Sequence, residues 1–272
     1  MARVDRAYKQ LLHTVINGGE TSESRAGNTV RVFGAVFSIE DISDEFPLIN
    51  IRKLHPTGMI GELAAFIQGA DDLQTFKSFG CNYWDQNAAA WSKNKGKLKS
   101  EHKVGEIYGY AWRHWKGSFD QLQALVEGLK INPTSRRHLL TTYDPTADSC
   151  LPSCHLLAQF AVSNDNHLDC IVYMRSVDLV LGLPSDIVVY ALLLRLLALE
   201  THLTARRLTF MLGDTHIYEQ HLTNAKLLVE AKDYDAPTLL LYPEANLFQF
   251  HPSQVEVTKY VHGPAMQFEL NV

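Results

Sequence analysis

The sequence contains little cysteine: only four of its 272 residues, Cys81, Cys150, Cys154 and Cys170. Four thiols are too few for a disulfide scaffold in a chain of this length, so they favour a reducing compartment. Each thiol is then either core filler, which is the usual fate of a free cysteine, or part of a reaction.

The chain also lacks an excess of positive charge. Its 25 Lys and Arg residues face 30 Asp and Glu residues, which gives a formal net charge of -5. This balance argues against a dedicated nucleic-acid binder, because such proteins carry a basic patch for the phosphates. The hydrophobic share of 46% is ordinary for a globular protein and excludes global disorder.

Long hydrophobic runs are missing as well. The longest, at 187–199, is interrupted by Arg195 and is too short to cross a bilayer, so we expect a buried helix there. Charged residues begin at Arg3, and we therefore expect no signal peptide. Together these features predict a cytoplasmic protein without membrane contact (the host cytoplasm, if a phage encodes it).

The apolar residues that are present predict a mixture of helices and strands. Helical spacing predicts helices at 4–16, 59–68, 119–130 and 187–199. Runs rich in Val, Phe and Leu predict strands at 30–39, 48–51, 156–162, 168–175, 239–241 and 254–260. No internal repeat and no long linker divides the chain, so we expect a single domain over 1–272.

The segment LPSCH at 151–155 places Cys154 between a loop and a predicted strand. A nucleophile is usefully displayed there, although a buried structural thiol is the more common use of a lone cysteine. A zinc site is disfavoured, because Cys150 and Cys154 have no second Cys/His pair at zinc-finger spacing. The Pro-Cys-x-x-Cys and His-x-Glu motifs of zinc deaminases are both missing.

Five further motifs surround this segment in a fixed order: GELAAF at 61–66, YGYAWR at 108–113, NPTSRR at 132–137, YMRSVDLVLGLP at 173–184 and GDTHIY at 213–218. The ordered set resembles the thymidylate synthase family over nearly the whole chain. The resemblance implies an α/β fold of the α+β type, with a large mixed β-sheet flanked by helices and the sheets packed back to back in a homodimer. It also implies a pyrimidine nucleotide monophosphate as substrate, 5,10-methylenetetrahydrofolate as co-substrate and no metal.

The resemblance also implies a role for individual residues, matched motif by motif. Cys154 takes the place of the nucleophile, Glu62 that of the group that organises water and proton transfer, and Tyr108 and His155 join the catalytic set. The resemblance implies that the 5′-phosphate is bound by Arg25, Arg175 and Ser176. It also implies that the neighbouring subunit contributes Arg136 and Arg137 to this phosphate site. By the same resemblance, the base and the sugar are bound by Gln159, Asp186, His216 and Tyr218. Folate is bound by Trp84, Leu151, Asp178, Gly182 and Val272.

The chemistry of the residues agrees with these roles. Carbon 5 of a pyrimidine is a poor nucleophile until a group adds at carbon 6, and a thiolate such as that of Cys154 adds and later leaves well. Arginines clustered around a phosphate are expected to lower the pKa of that thiol. The partly apolar setting of Glu62 is expected to raise its pKa and suit it to proton transfer. The alternative for Arg136 and Arg137 is a solvated helix end, and for Glu62 a helix-surface position.

Asp186 departs from the synthase pattern, in which the corresponding residue is an asparagine. An asparagine amide matches the ring N–H and the neighbouring carbonyl of uracil, whereas a carboxylate accepts from the exocyclic amine of cytosine. Deoxycytidylate hydroxymethylases of the same family have aspartate here, so we predict a cytidine nucleotide as substrate. The alternative is that Asp186 caps the helix predicted at 187–199, a use that Ser185 would serve equally well.

Two further departures bear on the product. Asn87 stands where the synthases have a second tryptophan, and Ser185 where they have a phenylalanine. Both make the neighbourhood more polar and suited to holding a water, which favours a hydroxymethyl over a methyl product. The apolar tail at 268–272 and the retained His155 favour the methyl product, with dihydrofolate formed.

Several alternatives stay open from the sequence. CMP is an alternative to dCMP, and a dUMP-directed enzyme is less favoured. A catalytically inactive nucleotide- or RNA-binding relative is a different class of function. The lysine-rich stretch at 93–103 is either a solvated loop or a site for an acidic folate polyglutamate tail.

Overall fold

The computed structural model describes residues 2–24, 26–94 and 102–270. Arg25, predicted to bind phosphate, and Val272, predicted to bind folate, lie outside the described residues, as does most of the lysine-rich stretch at 93–103. The three described ranges include every other residue predicted for the site.

A six-stranded mixed sheet forms the centre of the fold. Its strands are β1 (Glu20–Ser24), β2 (Gly27–Ile39), β3 (Leu139–Thr141), β4 (His155–Val162), β5 (His167–Asp178) and β6 (Thr204–Tyr218). They lie in the order β1-β2-β6-β5-β4-β3, and β5 and β6 are parallel while the other neighbours are antiparallel. A separate antiparallel pair consists of β7 (Thr238–Leu241) and β8 (Val255–Thr258). The predicted mixed sheet is thus confirmed.

Helices flank the sheet. They are α1 (Arg3–Gly18), α2 (Pro56–Ile67), α3 (Leu73–Ser78), α4 (Asp85–Asn94), α5 (Tyr108–Arg113), α6 (Gln121–Ile131), α7 (Gly182–Thr201) and α8 (Leu222–Val229). Helix α1 packs on β2, and α7 packs on α2, β5 and β6. The chain therefore leaves β5, crosses through α7 and returns beside β5 as β6, which is the connection that a parallel pair requires.

Helix α7 is apolar on all sides because it is enclosed on all sides. Residues such as Ile187, Leu192 and Leu196 have no exposed surface. By length and composition alone α7 is the one described helix that would qualify as a membrane span, but most of it is buried within the protein, as in a core helix. The buried helix predicted at 187–199 is confirmed, and it begins five residues earlier.

The structure corrects three parts of the pattern-based prediction. The strand expected at 48–51 is not formed by these described residues; Leu48 and Ile49 are buried in an irregular segment whose backbone bonds elsewhere, for example from the Asn50 N–H to Asp5 Oδ1 at 3.1 Å. The polar stretch at 20–29 contains β1, which pairs with β2 as a hairpin. Strand β6, the longest in the sheet, was not anticipated from the sequence pattern at 204–218.

The two faces of the sheet differ in cover. Side chains of one face, such as Phe160, Val172 and Phe210, are buried under the helices. On the opposite face, called here the outer face, paired positions of neighbouring strands carry exposed apolar side chains. The outer face includes Val36, Met211, Tyr173, Ile171 and Leu139.

Candidate active site

A cavity of about 430 Å³, open to solvent, lies where the parallel strands β5 and β6 end and α7 begins. This is where ligands bind in sheets with parallel strands, because the chain crosses over there and exposes polar ends. Thirteen of the residues singled out from the sequence line this cavity: Glu62, Trp84, Tyr108, Leu151, Cys154, His155, Arg175, Ser176, Asp178, Gly182, Asp186, His216 and Tyr218.

Three other predicted site residues are not brought to the cavity. Gln159 is exposed on the outer face, because its neighbours Ala158 and Phe160 face the core and side chains alternate along β4. Arg136 and Arg137 are exposed after the end of α6. Arg137 borders a second cavity of about 280 Å³. Within one chain, therefore, the base or sugar role predicted for Gln159 and the phosphate role predicted for the arginine pair have no geometric support.

Some cavity residues were missed by sequence reasoning. Asn87, noted as a departure from the synthase pattern, lines the cavity together with Ala90 and Trp91. The spacing of three and four residues between Trp84, Asn87 and Trp91 is that of one helix face. The sequence therefore did contain a signal that these residues share one surface. Cys150, expected to be filler, also lines the cavity; burial raises its pKa to about 12.

The loop before β4 holds Cys154 by its backbone. The Cys154 N–H donates to the Tyr108 hydroxyl oxygen at 3.0 Å, and the Cys154 carbonyl accepts from the Arg175 N–H at 2.9 Å. The Arg175 guanidinium donates to the carbonyls of Ser153 and Pro152, both at 2.8 Å. Its Nη2 then lies 3.7 Å from the Cys154 sulfur, so one arginine both fixes the loop and faces the thiol.

The electrostatic setting of Cys154 differs from the expectation. Burial raises the pKa of its thiol, and Asp186 raises it further, whereas Arg175 and a hydrogen bond from Tyr108 lower it. The net direction is upward, so the predicted lowering by clustered arginines is wrong for the chain alone. The reason is that Arg175 is the one arginine among the described residues that lies beside the sulfur, since Arg136 and Arg137 are elsewhere.

Glu62 lies on α2 and is 7% exposed. The Trp84 indole N–H donates to Oε1 at 2.9 Å, and the Ser185 hydroxyl donates to Oε2 at 3.0 Å. Burial first, and the nearby Asp186 carboxylate second, raise the pKa of Glu62 to about 7, which confirms the predicted direction. The Ser185 hydroxyl, which makes this neighbourhood more polar as expected from the sequence, bonds to Glu62.

A hydrogen-bonded set of three side chains adjoins Glu62. His155 Nε2 lies 2.8 Å from Asp186 Oδ1, and its Nδ1 lies 3.2 Å from the Tyr190 hydroxyl. Burial raises the pKa of Tyr190 far above its ordinary value, so Tyr190 keeps its proton and donates it to Nδ1. The Asp186 carboxylate accepts the hydrogen bond from His155 Nε2, and the His155 ring is stacked on the Tyr108 ring with their centroids 4.2 Å apart.

Asp186 is not a helix cap. Helix α7 starts at Gly182, so Asp186 lies on its second turn with its side chain turned toward His155 rather than toward the free N–H groups of the helix end. Its Oδ1 accepts from His155, and among the described residues Oδ2 has no hydrogen-bond partner. The carboxylate borders the cavity and keeps one oxygen for a ligand.

Strand β6 brings a second histidine to the cavity. His216 Nδ1 lies 2.8 Å from Asp214 Oδ1, and the other oxygen of Asp214 accepts from Arg31 at 2.7 Å. The Tyr218 ring meets the His216 ring edge-on at 5.2 Å. The Asp214 carboxylate fixes the ring orientation of His216 and leaves its Nε2 for the cavity.

The turn into α7 and the end of the described chain both border the part of the cavity predicted to bind folate. Asp178 Oδ1 accepts the N–H groups of Val180 and Leu181 at 2.8 and 3.2 Å, which fixes the turn into α7. At the end of the chain Leu270 lines the cavity, and the Phe268 ring lies under the buried Arg52 guanidinium at 4.7 Å. Arg52 also donates to the Val180 carbonyl, so the tail and the turn meet at one side chain.

The described part of the chain contains neither a metal-binding cluster nor a disulfide. Among these residues there is no group of three or more His, Cys, Asp or Glu side chains arranged to hold a metal ion. All four cysteines lie in the described ranges and are free.

Comparison with known sequences agrees with this site. The profile of the thymidylate synthase family matches residues 6–272, and the chain belongs to this family. It is 33% identical to the bifunctional dihydrofolate reductase-thymidylate synthase of Leishmania major and 32% identical to that of Leishmania amazonensis. Each alignment covers 98% of this chain and 55% of the relative, so the chain spans about half the length of these curated relatives. The chemistry of the family is folate-dependent one-carbon transfer to carbon 5 of a pyrimidine nucleotide.

Proposed function

We propose that this protein is a folate-dependent dCMP 5-hydroxymethylase, which converts dCMP, methylenetetrahydrofolate and water into 5-hydroxymethyl-dCMP and tetrahydrofolate. The observation that carries the proposal is the Asp186 carboxylate, which borders the cavity and is anchored by His155 at 2.8 Å. The thymidylate synthases resemble this segment but have an asparagine at that position. We infer that the side-chain atom by which Asp186 differs from asparagine contacts the pyrimidine base directly.

The hydrogen-bonding edges of the two bases explain why the carboxylate favours cytosine. Asp186 accepts from His155 through Oδ1, and Oδ2 is a further acceptor for the exocyclic amine of cytosine. Uracil presents a carbonyl oxygen in place of that amine, so two acceptors would face each other. A buried mismatch of this kind costs about 1–3 kcal/mol, which is about five- to 150-fold in preference.

Cys154 is the proposed nucleophile. Its thiolate bonds to carbon 6 of the base, and the electron pair of the carbon 5–carbon 6 double bond becomes available at carbon 5. Folate, when bound, supplies a methylene group at the oxidation level of formaldehyde. Carbon 5 would bond to that methylene carbon, the carbon–nitrogen bond to folate would break to release tetrahydrofolate, and loss of the carbon 5 proton would leave an exocyclic methylene. Arg175, 3.7 Å from the sulfur, stabilises the thiolate before attack and after release.

Glu62 is the proposed base for water. A carboxyl with a pKa of about 7 is ionised in half of the molecules at neutral pH and so exchanges protons readily. It accepts a proton from the water that attacks the exocyclic methylene on carbon 5. Release of Cys154 from carbon 6 then restores the aromatic base.

The remaining predicted residues are proposed to bind the substrates. Arg175 and Ser176 of one chain, with Arg25, take the phosphate, and Arg136 and Arg137 reach it from a second copy. His216 and Tyr218 take the sugar. Folate is proposed to lie against Trp84, Leu151, Asp178, Gly182 and Val272.

A homodimer with back-to-back sheets supplies what the single chain lacks. The exposed apolar residues of the outer face form a continuous surface across four strands, and Phe33 beside them is 78% exposed. Apolar surface of this extent on a sheet face is typical of an interface. We assign Gln159 to this interface rather than to the base, since it lies on the same face.

The chain is proposed to act as one domain over 1–272 in the cytoplasm. The buried residues form one hydrophobic cluster that extends from Ala2 to Val255, which supports a single domain. The four free thiols support a reducing compartment.

A second candidate is the synthase reaction, with a methyl product and dihydrofolate, on dCMP or on dUMP. It is favoured by the names of the two Leishmania relatives and by Leu270, an apolar tail residue that lines the cavity and helps to exclude water. CMP remains an alternative nucleotide, because His216 and Tyr218 address one sugar hydroxyl and no assigned residue addresses the 2′ position.

The test is turnover of purified protein with methylenetetrahydrofolate and, in turn, dCMP, CMP and dUMP labelled with tritium at carbon 5. We expect tritium release from dCMP, a product one oxygen heavier than methyl-dCMP by mass spectrometry, and no rise in dihydrofolate absorbance. Turnover of dUMP alone would overturn the choice of base, and dihydrofolate formation would overturn the product. Binding without tritium release would indicate the inactive relative.

A further inference from the structure

We propose that Ser185 is a positioning residue that holds Glu62 as the base for water and thereby directs the reaction toward the hydroxymethyl product. This inference rests on the proposed function. It concerns a residue that contacts neither Cys154 nor the predicted phosphate site, and it gives a role to one of the two departures from the synthase pattern.

The geometry around Glu62 carries the inference. Both carboxylate oxygens accept a hydrogen bond, Oε1 from Trp84 at 2.9 Å and Oε2 from Ser185 at 3.0 Å. Two donors on opposite oxygens fix the rotation of the carboxylate and favour its ionised form. Each oxygen still has a lone pair with which to accept a proton from water.

The position of Ser185 in α7 makes this contact specific. It lies on the first turn of α7, yet its hydroxyl reaches Glu62, 123 residues away in sequence, rather than its own helix backbone. The next residue, Asp186, reaches His155. Two consecutive residues of α7 therefore have two different proposed tasks. Ser185 holds Glu62, and Asp186 contacts the base.

The water step depends on this arrangement. The water oxygen bonds to the exocyclic methylene carbon, the π electron pair moves into the ring, and Glu62 takes the proton. That pair then re-forms the carbon 5–carbon 6 double bond, and the bond from carbon 6 to Cys154 breaks to release the thiolate. An apolar side chain at position 185 would leave Oε2 without a donor, so Glu62 would stay protonated to higher pH and accept the water proton less often.

The experiment compares Ser185→Ala, which removes the hydroxyl, with Ser185→Thr, which keeps it. Thr201→Val is the matched control, because Thr201 makes one buried hydroxyl hydrogen bond at the far end of α7, to the Leu197 carbonyl at 2.7 Å, without touching the cavity. For each variant we would measure kcat, KM for the nucleotide, the ratio of hydroxymethyl to methyl product and the pH profile of kcat.

For Ser185→Ala we expect kcat for the hydroxymethyl product to fall about tenfold at pH 7, as for loss of one hydrogen bond to a charged group, with KM for the nucleotide nearly unchanged. The acid limb of its profile should move to higher pH, because the lost hydrogen bond lowered the pKa of Glu62. Ser185→Thr should restore both, and Thr201→Val should alter neither.

A second measurement does not depend on turnover. Infrared titration of the protein without ligands follows the carboxylic acid band of Glu62, assigned by its loss in Glu62→Gln. The band should persist to higher pH in Ser185→Ala than in the wild type and Ser185→Thr. An unchanged Glu62 titration, or a profile that moves equally in Thr201→Val, would overturn the proposal.

The outcomes separate this proposal from the proposed function. If wild-type protein forms only methyl product or accepts only dUMP, the proposed function fails, and the infrared titration still decides whether Ser185 holds Glu62. If wild-type protein forms the hydroxymethyl product and Ser185→Ala does so with the same kcat and pH profile, the role of Ser185 is refuted while the function stands.

Discussion

The two ends of the cavity differ in how complete they are within one chain. At the end that holds Glu62, His155 and Asp186, each of these side chains has a hydrogen-bond partner before any ligand binds. At the proposed phosphate end the described chain supplies Arg175 and Ser176, whereas Arg136 and Arg137 are exposed elsewhere. The proposed base end is thus preorganised within the described chain, whereas we propose that Arg136 and Arg137 of a second copy complete the phosphate end.

This difference separates two kinds of task. Discrimination between bases needs acceptors and donors at fixed positions, and fixed positions need buried supporting bonds such as those of Tyr190 to His155. A phosphate is bound by charge-assisted hydrogen bonds, which we propose that Arg136 and Arg137 of a second copy supply. The contrast between the two ends leads to four predictions, which run from the largest expected effect to the smallest.

Removal of the thiol should have the largest effect. Cys154→Ala should lower tritium release from carbon 5 by at least about a thousandfold, because addition at carbon 6 is lost. Nucleotide binding, measured by calorimetry, should stay largely intact. Cys170→Ala, which removes a thiol from the core face of β5, is the control and should retain turnover. Residual turnover of Cys154→Ala near the wild-type rate would exclude Cys154 as the nucleophile.

The base end is tested by Asp186→Asn. The amide still accepts from His155 through its oxygen, but its NH₂ group now meets the base. We expect the ratio of kcat/KM for dCMP to that for dUMP to fall by about a hundredfold, with part of the change appearing as gained dUMP turnover. An equal fall for both nucleotides would mean that Asp186 supports the structure without reading the base.

The phosphate end is tested by subunit mixing. The double variant Arg136→Ala, Arg137→Ala should raise KM for the nucleotide about tenfold or more. Mixed in equal amounts with the inactive Cys154→Ala, it should regain about a quarter of the wild-type sites, since half of the dimers are mixed and each has one intact site. No gain on mixing, after exchange of subunits is verified, would place both arginines outside the partner's site.

The pH profile should show the smallest effect. Glu62 has its pKa raised to about 7, so it is protonated below that pH and ionised above it. Product formation should therefore fall as the pH drops through 7, by about tenfold for each further pH unit. In Glu62→Gln the inflection near pH 7 should vanish. A profile that keeps this inflection in the variant would assign it to another group.

Much of the fold can be predicted from local pattern, and the exceptions have physical causes. Helix α1 and strands β4 and β5 carry clear periodicity, and each forms about where it is expected. The segment at 48–51 is apolar because it is buried, although it does not pair as a strand. Amino-acid composition does not distinguish a buried irregular segment from a buried strand. Strand β6 was missed since Arg206, Arg207 and Gly213 interrupt its apolar alternation.

The identities of the site residues came from motif order, but their pairing did not. Glu62 and Ser185 are 123 residues apart, and His155 and Asp186 are 31 apart, so no local rule brings them together. The direction of the pKa shift of Glu62 followed from its apolar neighbours, whereas that of Cys154 did not, because it depends on how many arginines the fold delivers to the thiol.

The crossover from β5 through α7 to β6 has a consequence for how the protein reaches its native state. Parallel strands cannot be joined by a tight hairpin turn, so the pairing of β5 with β6 depends on a crossover through the twenty residues of α7, and such non-local pairing is slow to form. Arg175 lies on β5, Asp186 on the second turn of α7 and His216 on β6. All three elements of this one crossover therefore carry residues of the proposed site, so a chain in which the crossover has not formed does not bring these residues together.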